Sequence, residues 1–103
     1  MYISKLQCSE LDKLYTAILG LDSLEACYRF FDDLCSVSEI QAMAQRFFVA
    51  ALLDQGMKYQ QIAKQTGAST ATISRVNRCL TFGADGYRIA LEKMKQKDTE
   101  THD

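Results

Sequence analysis

The sequence predicts an all-α protein, and three observations carry that expectation. The 103 residues include no proline and only five glycines, so helices meet few interruptions. Apolar residues recur at spacings of three and four, the period of one helix face. Residues that start and stop helices stand at the edges of those runs. A chain of this length makes one domain, and 48% apolar residues suffice for its core.

The first helix is expected to run from an N-cap at Ser9 to a stop at Gly20, with Leu11, Leu14, Tyr15, Ile18 and Leu19 along one stripe. Asp22 can cap the second helix, and Glu25 would complete a capping box. Its apolar set, Leu24, Cys27, Tyr28, Phe30, Phe31 and Leu34, is wider than a stripe, so two of its faces need cover. Ser36-Val37-Ser38-Glu39 reads as another capping box. The series Ile40, Met43, Ala44, Phe47, Phe48, Ala51 and Leu52 then continues unbroken until Gly56. Gly83 and Gly86 mark a loop before a last amphipathic helix over 87–94. Residues 95–103 carry no apolar side chain and are expected to be disordered.

Between these helices, residues 59–78 read Y-Q-Q-I-A-K-Q-T-G-A-S-T-A-T-I-S-R-V-N-R, two short helices around a tight corner. Ile62 and Ala63 give the first an apolar inner edge, and Ala63 is small enough for a close crossing. Gly67 can take the positive φ that reverses the chain. Ser69 or Thr70 can cap the second helix, whose apolar positions Ile73, Val76 and Leu80 are spaced three and four apart. That is the layout of a helix-turn-helix, whose second helix enters the DNA major groove. An ordinary αα-corner has the same periodicity. The charge pattern favours DNA: residues 55–84 contain no Asp or Glu, whereas Lys58, Lys64, Arg75 and Arg78 are present.

The formal net charge of −1 conceals a split. Residues 1–54 hold four Lys/Arg against eight Asp/Glu, and residues 55–103 hold eight against five. A locally basic face can meet phosphates while the acidic half limits indiscriminate binding. No apolar run approaches the ~20 residues that span a bilayer, and the N-terminus lacks the basic and apolar regions of a secretory signal. A cytoplasmic location with no membrane partner is expected. Cys8, Cys27, Cys35 and Cys79 have no C-x-x-C spacing and the one histidine is His102, so no metal or other cofactor is expected. Asp32-Asp33, Glu39 and Tyr59 form no nucleophile–base pattern, so an enzyme is not expected.

The runs Q-R-F-F-V-A-A-L-L-D-Q-G and I-A-K-Q-T-G-A-S-T-A-T-I-S-R, with F-F-D-D-L-C-S-V-S-E upstream and T-F-G-A-D-G-Y downstream, resemble the Trp repressor superfamily, in its YerC/YecD-type branch. The resemblance covers residues 10–93. It implies an intertwined all-helical homodimer, with the first helices wrapped around the partner and a helix-turn-helix in each half. The helix pattern itself divides one domain, 1–94, into dimerisation helices over 1–54, the helix-turn-helix over 57–80 and the last helix over 87–94. The resemblance also implies a transcriptional regulator, a repressor. The aromatic cluster of Tyr28, Phe30, Phe31, Phe47 and Phe48 independently calls for a two-fold partner, which would set two reading helices ~34 Å apart on a palindromic operator. In the Trp repressor itself a threonine and an arginine before the corner, with an arginine of the second corner helix, help hold tryptophan. Carried onto this chain, these positions are Gln45, Gln55 and Arg75, and the glycine that makes room for the indole is Val76. Loss of a cation facing the ligand carboxylate would remove ~1.5–3 kcal/mol, so tryptophan is disfavoured as co-repressor. No residue pattern identifies another small-molecule effector.

The expected partner is double-stranded DNA. Lys58, Gln60, Gln61 and Lys64 are expected near phosphates, and Ser69 and Thr70 near phosphate or base edges at a helix N-terminus. Thr72, Ser74, Arg75 and Arg78 follow as base or backbone contacts. Two competing readings use the same scaffold, a protein-interaction module and a small-molecule sensor.

Overall fold

The computed structural model describes residues 1–101, with side chains to residue 97. These residues form six helices and no strand: α1 (Ser9–Leu19), α2 (Leu24–Leu34), α3 (Val37–Asp54), α4 (Tyr59–Thr66), α5 (Thr70–Phe82) and α6 (Gly86–Thr101). None is long and apolar enough to cross a membrane. The all-α expectation holds. The chain divides into two compact units, Met1–Ile40 and Gln41–Asp103.

The helix boundaries follow local chemistry, with three departures from expectation. Cys8, rather than Ser9, is the N-cap of α1, and no side chain bonds to that end. Ser23, rather than Asp22, caps α2, its hydroxyl accepting the Ala26 N–H at 3.1 Å. That one-residue shift takes Glu25 out of the capping-box position, and its carboxylate instead meets Arg29 one turn on at 3.3 Å. The last helix runs to Thr101, so residues 95–101 of the expected tail are helical. The physical reason is propensity, because Lys, Gln and Glu favour helix without needing a core. Lys95 Nζ also donates to Asp54 Oδ2 at 3.0 Å. His102 and Asp103 lie outside the described residues.

The first unit holds α1, α2 and the opening of α3, and no residue of α1 or α2 is buried. Leu19, Leu24 and Tyr28 are 84%, 79% and 70% exposed. Phe30 and Phe31 meet edge to face at 5.4 Å and are half-buried. The Ser36–Glu39 capping box is formed at the start of α3: Ser36 N–H donates to Glu39 Oε1 at 2.8 Å, and Glu39 N–H donates to Ser36 Oγ at 3.2 Å.

The second unit has a closed core. Val49, Ala50 and Leu52 of α3 meet Ile62 of α4, Ala68 of the turn, and Ile73, Val76 and Leu80 of α5. Val49, Ile62 and Ile73 are wholly excluded from solvent. Tyr87 of α6 packs against this core and stacks on Phe47 at 6.5 Å. Each buried Val, Leu or Ile of this core contributes about 1.5–3 kcal/mol of burial. Asp85, before α6, is in the left-handed region at φ 65, which a short polar side chain tolerates.

Truncating Ile73 to Ala should cost about 2–5 kcal/mol in chemical denaturation, because neighbours on three elements cannot all collapse into the space. Glu39 gives a pH test. The Ser36 backbone N–H, and then its hydroxyl, hold the Glu39 carboxyl below its ordinary 4.5. A lowered native value means the cap's contribution is complete above 4.5 and disappears as pH falls through the native value. Wild type should therefore melt higher than Glu39→Gln at neutral pH, and the difference should close on acidification.

Candidate nucleic-acid interface

The corner between α4 and α5 is built from short-range bonds. α4 ends at Thr66, and Gly67 follows in the left-handed conformation at φ 72, its N–H donating to Ala63 O at 2.9 Å. A Cβ at Gly67 would meet nothing within 4 Å, so the glycine is needed for its backbone and not for room. Thr66 Oγ1 donates to Ile62 O at 2.7 Å and accepts the Ala68 N–H at 3.1 Å. From α3, Gln45 Nε2 donates to Thr66 O at 3.1 Å. Ser69 is the N-cap of α5: its Oγ accepts the Thr72 N–H at 3.1 Å and donates to Thr72 Oγ1 at 3.0 Å. At the far end of α5, Arg88 Nε donates to Leu80 O at 3.0 Å.

This geometry separates inner from outer residues as the spacing predicts. Ile62, Ile73 and Val76 are buried and Ala63 is half-buried. Lys58, Gln60, Gln61 and Lys64 are exposed on and beside α4, and Ser69, Thr70, Ser74, Arg75 and Arg78 are exposed along α5. Thr72 is half-buried, and its hydroxyl and that of Ser69 are already engaged with each other. Tyr59, Gln60, Gln61, Ala63 and Lys64 line one cleft with Thr70, which joins α4 to the start of α5. No carboxylate stands in residues 55–84 to offset the cations. Cations and hydroxyls beside a helix N-terminus suit an anionic ligand.

A second cleft, of about 290 Å³, is lined by Arg46, Arg75, Val76, Cys79 and Tyr87. Of the three residues expected at an effector pocket, Arg75 lines it, whereas Gln45 is bonded to Thr66 and neither Gln45 nor Gln55 is in the lining. Arg46 escaped the sequence reading. The one available signal was an isolated cation inside the apolar series of α3. Arg46 and Arg75 both line the cleft, which therefore carries two cations where the sequence pointed to one. The Val76 side chain remains at its wall.

The family model for the Trp repressor protein matches residues 9–95. The chain belongs to the Trp repressor family. It is 55% identical over 101 residues to the protein YerC of Bacillus subtilis (strain 168), covering 98% of this chain and 97% of that one. A candidate Trp repressor from Staphylococcus aureus, solved by crystallography, is 52% identical, with a TM-score of 0.86 over 92% of this chain and 95% of its own. A TrpR-like protein from Eubacterium eligens ATCC 27750 is 47% identical, with a TM-score of 0.85 over 88% and 94%. The Trp repressor family consists of DNA-binding transcription regulators rather than enzymes, and the all-α fold is that of the family.

Two substitutions test how the corner is held. Gly67→Ala should destabilise the protein by about 1–3 kcal/mol through its backbone conformation alone, since the added methyl meets nothing. Ser69→Ala should cost about 1 kcal/mol through the lost cap. Urea titrations of the two variants would measure both.

Proposed function

We propose that this protein is a sequence-specific, DNA-binding transcriptional regulator that acts as a homodimeric repressor on a palindromic operator in the cytoplasm. One observation carries the proposal. The exposed side of α4 and α5 gathers Lys58, Lys64, Arg75 and Arg78 on a segment without a single acid, and the inner side of the same helices is locked in the core. Family membership supports it, because the family's members regulate transcription through DNA.

In this proposal Lys58, Gln60, Gln61 and Lys64 approach phosphates. Thr70, Ser74, Arg75 and Arg78 of α5 meet base edges or the backbone. Ser69 gives its hydroxyl proton to Thr72 and accepts the Thr72 N–H, so its share is to present the α5 N-terminus to an anion, while Thr72 keeps its own O–H to donate. Arg75 is the strongest candidate for base recognition, since a bidentate arginine–guanine pair discriminates by ~1–3 kcal/mol. The homodimer rests on the first unit: α1 and α2 bury no residue, and Leu19, Leu24 and Tyr28 lie open. A second copy that covers them would place two α5 helices one DNA turn, ~34 Å, apart. Tryptophan remains disfavoured as co-repressor because the Val76 side chain occupies the cleft wall where an indole would need space.

Selection of bound fragments from random DNA tests binding, palindromy and spacing together. Arg75→Ala should stay folded and bind the selected fragment about tenfold to a hundredfold more weakly, and unchanged affinity and specificity would refute its role. Binding should weaken steeply as salt rises, whereas a protein-interaction module would show little salt dependence. Equilibrium ultracentrifugation at micromolar concentration should report a dimer, and a stable monomer would remove the half-site argument. Calorimetry with tryptophan should show no saturable heat.

A further inference from the structure

We propose that Gln45 is a positioning residue for α5, acting through the carbonyl of Thr66 to fix the direction in which the chain leaves α4. The proposal rests on the DNA-binding role given above and assigns to α3 a part in it. Gln45 stands where the family resemblance implies an effector contact, yet its side-chain amide is spent on the corner, 21 residues away.

The Thr66 carbonyl belongs to the peptide immediately before the left-handed Gly67. A change in ψ of Thr66 or φ of Gly67 that the other does not offset redirects everything that follows, and a bond held on the carbonyl between these two angles limits both. Glycine resists the turn least, having no Cβ, and a Cβ there would have no neighbour to strike. The corner's own bonds run elsewhere: Gly67 N–H goes to Ala63 O, while Thr66 Oγ1 bridges Ile62 O and Ala68 N–H. None of them engages the Thr66 carbonyl, one of the final carbonyls that a helix leaves without an internal partner. Gln45 supplies the missing donor in partly buried surroundings. Its own support is firm, because Val49, one turn further along the same face of α3, is wholly buried in the core.

Gln45→Met keeps the length and removes the donor, and Gln45→Glu keeps the shape and puts a carboxylate against the carbonyl. The measurement compares wild type with both variants for affinity to the wild-type-selected fragment, affinity to an unrelated duplex, melting temperature, and amide exchange at Gly67 and Ala68. Gln45→Met should bind the selected fragment about tenfold more weakly, bind the unrelated duplex as wild type does, melt close to wild type, and exchange faster at the two amides. Should Gln45→Met fail to fold, Gln45→Glu carries the same comparison. Unchanged selected-fragment affinity in a folded variant would overturn the proposal. So would an equal loss on both duplexes alongside a lower melting temperature, the mark of a merely structural bond. Unaltered exchange at Gly67 and Ala68 would overturn it without reference to DNA. A wild-type protein that selects no fragment and binds no duplex would instead defeat the DNA-binding function itself.

Discussion

Gly67 leaves α4 at φ 72, and the orientation of α5 is inherited from that residue and the peptide before it. A side chain at this position would cost energy, whereas glycine costs only the entropy of its freedom. That freedom has to be removed by something else. Ile62 and Ile73, fully buried on the two arms of the corner in one core with Val49 and Ala50, restrict it by packing. The bonds made by Thr66 and Ser69 then define the turn within what packing allows. Packing supplies the larger energy, and directional bonds supply the angle.

The same division explains why one side of the corner is free for recognition. α4 has eight residues, too few to be stable as an isolated helix in water. Its stability comes from Ile62 and Ala63 in the second unit, so its outer positions carry no structural duty. Lys58, Gln60, Gln61 and Lys64 can therefore be polar at no cost to the fold. α5 has the same economy, with Ile73, Val76 and Leu80 inward and Thr70, Ser74, Arg75 and Arg78 outward.

Features set by residues three or four apart were readable in the sequence. The Ser36–Glu39 box and Gly67 as the turn formed where their spacing put them, and of Ser69 and Thr70, the two residues able to cap α5, Ser69 does so. At α2 the cap expected at Asp22 falls one residue later, on Ser23, because the hydroxyl there reaches the Ala26 N–H, and this moves Glu25 from the expected backbone bond to Arg29. The length of α6 is not legible in an apolar pattern, since residues 95–101 carry no apolar side chain and helix propensity needs no core. Features that join distant parts of the chain were not legible. Arg46 and Arg75 share a cleft across 29 positions, and Gln45 reaches Thr66 across 21; neither distance has a local period to betray it. Family resemblance did direct attention to Gln45 and Gln55, but a matched position does not reveal what a side chain bonds to.

The two units meet their packing requirements in different ways, and this bears on how recognition is divided. The second unit buries its own core and sets the corner within a single chain. The first buries nothing in α1 or α2, and its apolar side chains stand open within one chain. In the proposed dimer, the angle of each α5 is then a property of one chain, fixed by Gly67 and its supports, whereas the separation of the two is a property of the pair. Substitutions in the corner should change how well a half-site is read, and substitutions in α1 and α2 should change whether two half-sites are read together. A protein that kept the corner intact but lost the apolar residues of α2 would retain a weak, salt-sensitive affinity for a single half-site and lose its preference for spacing.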